Sequence, residues 1–143
     1  MRGITLIELL IILGVIAALV LISLPVYRSF QPTLQLGGAA RELVTDLRYI
    51  QQLAVTEQSE HCLKFFPAEN KYQLLRCEAT DYLEEKILPE EISTTTISEF
   101  TNDEIRYNPY GAVKESGSIT LENTDNKIKN ILVKPSGFVG ITD

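Results

Sequence analysis

The chain has 143 residues, of which 45% are hydrophobic and 22% charged, and its formal net charge is −6. That acidic balance argues against a broad nucleic-acid-binding face, which needs clustered Lys and Arg, while leaving room for a local basic patch. With an N-terminal apolar stretch of some 25 residues set aside, about 115 remain, enough for one small domain.

The apolar stretch comes first in the chain, within GITLIELLIILGVIAALVLISLP, and runs from Ile4 to Leu24. As a helix rising about 1.5 Å per residue it reaches roughly 30 Å, the depth of a bilayer core. One carboxylate, Glu8, interrupts it. A carboxylate costs about 2.5 to 3.5 kcal/mol at mid-bilayer and less near an end, so a retained one has a partner and a task, or snorkels to the surface. A secretory signal peptide fits poorly, because the run is too long and no A-x-A-like site follows it. A plain membrane anchor explains the length but not Glu8.

Gly3-Ile4-Thr5-Leu6-Ile7-Glu8 resembles the prepilin signal of type IV pilins and type II secretion pseudopilins. The resemblance implies that a prepilin peptidase cuts between Gly3 and Ile4, that Ile4 becomes the N-methylated terminus, and that Glu8 is the acidic residue used in filament assembly. Ile4 stands where the family most often has Phe, and the three-residue leader keeps a basic residue at Arg2. Pro25 matches a proline that recurs at the end of the family's apolar segment. By the same likeness, the helix between Gly14 and Pro25 loosens during assembly. The pairing has a physical reason: the Ile4 ammonium of one subunit and Glu8 of its neighbour would be opposite charges at low dielectric, each offsetting the other's desolvation.

Past Pro25, the residues Leu36, Ala40, Leu43, Leu47, Ile50 and Ala54 recur at spacings of three and four. This predicts an amphipathic helix with one stripe against a sheet of its own domain. It continues the membrane helix, with a bend or break around Pro25 to Pro32 and a first turn weakened by Gly37-Gly38.

After Ser59 the pattern changes to short strands. HCLKFF (61–66) and KYQLLRC (71–77) flank the turn-forming Pro67 to Asn70, which predicts a hairpin. If residues 66 and 71 pair, Cys62 lies opposite residue 75, two positions from Cys77, and a slightly longer loop would bring the two cysteines into register. A bridge between them and two buried free thiols are both open readings, and no C-x-x-C or zinc-type spacing is present. Further strands are expected at 82–88, 91–97, 105–107, 118–121, 129–133 and 138–141, with turns at Asn108 to Gly111 and Pro135 to Gly137. About seven short strands after one long helix make an α+β plan, and links too short for crossover helices make the sheets antiparallel.

The downstream pattern, with TDLRYIQQLAV, a Y-x-x-x-G turn, GSITL and a Gly-containing final hairpin, resembles the GspH/FimT group of minor pseudopilins and minor pilins, and a competence pseudopilin of Gram-positive bacteria. The resemblance implies a leader at 1–3, a transmembrane helix at 4–25, an amphipathic continuation at 26–58 and a β-rich domain at 59–143. It implies residence in the bacterial cytoplasmic (inner) membrane as a single-pass protein with its C-terminal domain extracytoplasmic. The implied partners are other pilins or pseudopilins, the prepilin peptidase, the inner-membrane assembly platform and membrane lipid.

Catalytic or ligand chemistry finds little support. The single His61 adjoins Cys62, but neighbours on a strand face opposite ways. Asn123, Asp125 and Asn126 offer oxygens without the spacing of a calcium loop and read as a polar turn. No phosphate-binding glycine loop and no cofactor motif occurs. Lys127, Lys129 and Lys134 make the C-terminal hairpin locally basic, the basis of a DNA-contact reading. The expectation is a minor pseudopilin of a type II secretion pseudopilus. The alternatives are a minor pilin or competence pseudopilin that contacts DNA, and a membrane-tethered enzyme, which lacks a catalytic constellation.

Overall fold

A computed structural model describes residues 5–78 and 82–142. The chain divides into two units, Met1–Gln31 and Pro32–Asp143. Helix α1, Leu6–Glu57, contributes to both.

In the first unit the window Leu6–Ser23 has a mean hydropathy of 2.9 and none of it is buried, so it is long and apolar enough to cross a membrane. The helix starts at Thr5, whose Oγ1 accepts the Glu8 N–H at 3.3 Å and so satisfies one of the unpaired amides of the first turn. Ser23 donates its hydroxyl to the Leu19 carbonyl at 2.8 Å, which hides a polar group inside the apolar run.

Of the bend or break expected around Pro25 to Pro32, the chain shows no break: α1 stays helical through that stretch and through Gly37-Gly38. Each proline removes a single donor, whereas ending the helix would strand several carbonyls beside an apolar run. At the glycines, burial of Leu36, Ala39 and Ala40 already anchors the turn.

In the second unit the predicted stripe is the buried face. Leu36, Ala40, Leu43, Leu47, Ile50 and Ala54 are all at most 2% exposed. They lie in a single core cluster with Leu63, Tyr72 and Ile105 from one sheet and Ile119, Ile131 and Val139 from another. The strands are β1 (His61–Phe66), β2 (Lys71–Arg76), β3 (Tyr82–Ile87), β4 (Ile92–Ser98), β5 (Glu104–Tyr107), β6 (Gly117–Asn123), β7 (Ile128–Val133) and β8 (Val139–Thr142). They form two four-stranded sheets ordered β3-β2-β1-β5 and β4-β6-β7-β8, with every pairing antiparallel. Strand β6 alternates buried and half-buried residues along its whole length, the period-two signature of a strand with one face on the core.

The first hairpin has the expected register, Phe66 opposite Lys71 and Cys62 opposite Leu75. The turn stays short: Pro67–Glu69 forms one 3-10 turn and Asn70 closes it with φ near +51°. Cys62 and Cys77 are disulfide-bonded, with Cα atoms 5.3 Å apart. The bond forms because the chain past β2 stays against β1, held by Cys77 N–H donating to the Glu60 carbonyl at 3.1 Å. Asn70 also donates its side-chain amide to the carbonyls of Ile92 (2.8 Å) and Pro89 (3.3 Å), tying the hairpin to the link that carries the chain from one sheet to the other.

One buried carboxylate joins the helix to the first sheet. Asp46, 7% exposed, accepts the Tyr72 hydroxyl at 2.6 Å, with Lys86 Nζ 3.7 Å away. Burial pushes the Asp46 carboxyl above its usual value, while the Tyr72 hydrogen bond and the Lys86 charge pull it back. The folded chain then binds that proton more tightly than the unfolded chain. Ionised Asp46 therefore costs stability above its folded pKa, and the cost vanishes as pH falls through it. The stability of the wild type minus that of Asp46→Asn is expected to rise from about pH 7 to pH 4. Urea unfolding of both proteins at each pH checks this, and a difference that falls on acidification contradicts it.

Candidate functional site

The functional candidate is the exposed apolar part of α1. Ile11, Ile16, Leu19, Leu21 and Ile22 are 52 to 72% exposed, a surface that a soluble domain does not leave uncovered. A Cβ placed on Gly14 would meet nothing within 4 Å, so packing within the chain does not require a glycine there. Glu8 is exposed on this segment and, among the described residues, has no ion-pair partner. Gly3 and Ile4 lie outside the described residues. Pro25 lies within the continuous helix.

The other sequence candidates resolve into structural roles. His61 is fully buried, its Nδ1 3.2 Å from the Ser59 carbonyl oxygen and its Nε2 3.2 Å from Glu57 Oε2. With Cys62 bonded to Cys77, the two neighbours do not make a nucleophile and base. The sulfurs of Cys62 and Cys77 and a Glu104 oxygen lie within 4.8 Å of one another, but a disulfide offers no thiolate to a metal. Glu104 is instead held by Arg106, whose Nη2 is 2.9 Å from its Oε1.

Asn123 uses its side-chain oxygen to accept the N–H groups of Asp125 (3.0 Å) and Lys127 (2.9 Å). Asn126 follows with φ near +59°. This is an Asx-type hairpin turn whose key oxygen is already committed. The three lysines do not converge. Lys127 sits in this turn, donating to Thr33 Oγ1 at 2.9 Å, and Lys129 is the second residue of β7. Lys134 lies past the far end of β7, its ammonium 5.4 Å from the centre of the Phe138 ring. Five intervening strand steps of about 3.3 Å separate the two ends.

Sequence reasoning missed the contacts that hold the turns on the helix. Gln51 Nε2 donates to the Gly111 carbonyl at 2.7 Å, and Arg48 Nη2 to the Val139 carbonyl at 3.2 Å. Both are polar residues flanking the apolar stripe, and their partners lie 60 and 91 residues away, beyond any local signal.

The model of the family described as type II transport protein GspH matches residues 39–137, most of the second unit. The chain belongs to the GspH family. Two groups of solved structures share its fold. The minor pseudopilin EpsH of the Vibrio cholerae type 2 secretion system superposes with a TM-score of 0.63 at 9% identity, covering 76% of this chain and 96% of that one. The type IV minor pilin FimU of Pseudomonas aeruginosa superposes with a TM-score of 0.62 at 13% identity, covering 80% and 92%. No curated protein matches the sequence. In this GspH-family chain the long N-terminal helix and the antiparallel sheets are the pilin-like plan, and the chain is a minor pseudopilin. The family match begins at Ala39. The hexapeptide around Glu8 therefore stands on its own residues.

Proposed function

We propose that this GspH-family chain is a single-pass inner-membrane subunit whose domain lies outside the cytoplasm, and that it joins a type II secretion pseudopilus by packing its apolar helix among those of sister subunits. The observation that carries the proposal is the exposed apolar helix with one acid near its start, Glu8, that has no ion-pair partner among the described residues. Lipid covers such a surface before assembly, and neighbouring helices cover it afterwards. On this reading the prepilin peptidase cuts between Gly3 and Ile4, Ile4 is methylated, the inner-membrane platform receives the subunit, and Glu8 docks on a neighbour's N-terminal ammonium. The dispersed lysines do not favour the DNA-contact alternative, and the enclosed His61 does not favour an enzyme.

Glu8→Ala is expected to leave peptidase processing intact and to lower incorporation into filaments about tenfold or more, the effect of losing at least ~1.4 kcal/mol of charge pairing at low dielectric. Mass spectrometry of the N-terminus reports processing, and the amount of subunit in sheared filaments reports incorporation. Normal incorporation of the variant overturns the charge-pair account. An unclipped Met1 start on the native protein overturns the processing step.

A further inference from the structure

The last strand has an open backbone edge beside two arginines. In the β7–β8 turn, Gly137 N–H donates to the Lys134 carbonyl at 2.8 Å and Lys134 N–H donates to the Phe138 carbonyl at 2.9 Å. Beyond it Leu132 pairs with Gly140 and Asn130 with Thr142. Hydrogen-bonded positions alternate along an antiparallel pair. The backbone groups of Phe138, Gly140 and Thr142 therefore face β7, and those of Val139 and Ile141 face away. β8 ends its sheet, so among the described residues no strand covers that edge. Arg48 takes the Val139 carbonyl; among the described residues the N–H and carbonyl of Ile141 are left for an incoming chain.

A groove of about 310 Å³ runs between this edge and α1, lined by Arg41, Val44, Thr45, Arg48, Gly140 and Ile141. Arg41 and Arg48 are seven residues apart, two helical turns, and so lie on one side of the helix. Arg41 is exposed and has no ion-pair partner among the described residues. The nearby acids of α1 are turned elsewhere: Glu42 pairs with Lys86 at 2.9 Å, and Asp46 with Tyr72 and Lys86, on the other sheet. In a chain of net charge −6, this edge is a cationic exception.

We propose that the β8 edge takes an extended acidic segment of a neighbouring filament subunit as a fifth strand, with carboxylates on alternate residues meeting Arg41 and Arg48. Backbone pairing supplies the docking, and the arginines select the charge. That the segment comes from a subunit rests on the filament reading above; the surface itself does not.

The test uses the full chain in detergent micelles and two labelled heptapeptides, Thr-Glu-Val-Glu-Val-Glu-Thr and its counterpart with Lys for Glu, followed by fluorescence anisotropy. The acidic peptide is expected to bind about tenfold tighter than the basic one, and Arg41→Glu to erase or invert that preference. Ile141→Pro removes the outward N–H without touching the β7 pairing and is expected to weaken the acidic peptide about fivefold or more, with the thermal midpoint little changed. Arg41→Glu lies on an exposed helix position and keeps the test decisive if Ile141→Pro fails to fold. Equal binding of the two peptides, or an Arg41→Glu variant that binds as the wild type does, overturns the proposal. So does a concentration-dependent dimer, seen by sedimentation and abolished by Ile141→Pro, because the occupant would then be a second copy of this chain. Peptide binding does not depend on Glu8, so this proposal and the filament reading fail separately.

Discussion

Gly137→Ala is expected to destabilise the domain by about 3 kcal/mol, within a range of roughly 2 to 5. Two costs add at this residue. Its φ of +80° lies in the left-handed region, which a side chain disfavours by about 1 to 2 kcal/mol. A Cβ there would also run into the Gly111 carbonyl oxygen and the Gln51 amide nitrogen. Neither neighbour is free to retreat, because Gln51 donates to that same carbonyl at 2.7 Å and Val113 N–H donates to the Pro135 carbonyl at 3.2 Å. A backbone clash has no alternative rotamer, so overpacking adds about 1 to 3 kcal/mol.

Gly111→Ala is the internal comparison. Its φ is +81°, but the new Cβ would sit 3.2 Å from Val55 Cγ2, the movable end of a side chain. It should cost the conformational term alone, about 1 to 2 kcal/mol. The expected midpoints fall by roughly 10–20 °C for Gly137→Ala and half that or less for Gly111→Ala. Circular dichroism and tyrosine emission follow the unfolding, the latter because the chain has no Trp. Equal losses in the two variants would sink the account in which the two turns are locked together on Gln51.

That lock also marks where sequence reading stops. The stripe from Leu36 to Ala54 and the first hairpin were legible because their signals are local: a 3.6-residue period in one case, alternation around a turn ending in Asn70 in the other. The disulfide was half legible, since the register placed Cys62 two positions from Cys77 but could not show the chain past β2 staying beside β1. The expected bend or break at Pro25 to Pro32 does not reach a break, because local propensity there is outweighed by the backbone pairing of the whole helix. The passage of β3 and β4 into different sheets, the burial of Asp46 against Tyr72 and the meeting of Gly111 with Gly137 depend on partners tens of residues away. For the candidate site, the apolar run and Glu8 announced themselves, while the Arg41–Arg48 edge beside β8 did not, because its meaning lies in which strand ends the sheet.

Removing the Cys62–Cys77 bond is expected to cost about 3 kcal/mol, on a par with the Gly137 substitution. The bond closes a loop with a sequence separation of 15, for which the entropy withheld from the unfolded chain amounts to about 3 kcal/mol at 25 °C. The folded surroundings offer little replacement. Glu57 reaches Arg76 at 2.6 Å and Arg106 reaches Glu60 at 3.2 Å, but these pairs are partly exposed, and such ion pairs contribute about 0 to 1 kcal/mol each. Because Cys62 is fully buried, the variant of choice is Cys62→Ala with Cys77→Ser, which avoids placing a hydroxyl in the core. Its thermal midpoint in micelles should fall by roughly 12–20 °C, and reductant should lower the wild type by a similar amount while leaving the variant unchanged. A reduced wild type that melts within about 3 °C of the oxidised form would show that the closed loop does not limit the unfolded chain. The same dependence links the fold to its compartment. A chain retained where thiols stay reduced would lack the bond and carry the lower midpoint, so full stability would belong only to a domain that has reached an oxidising space.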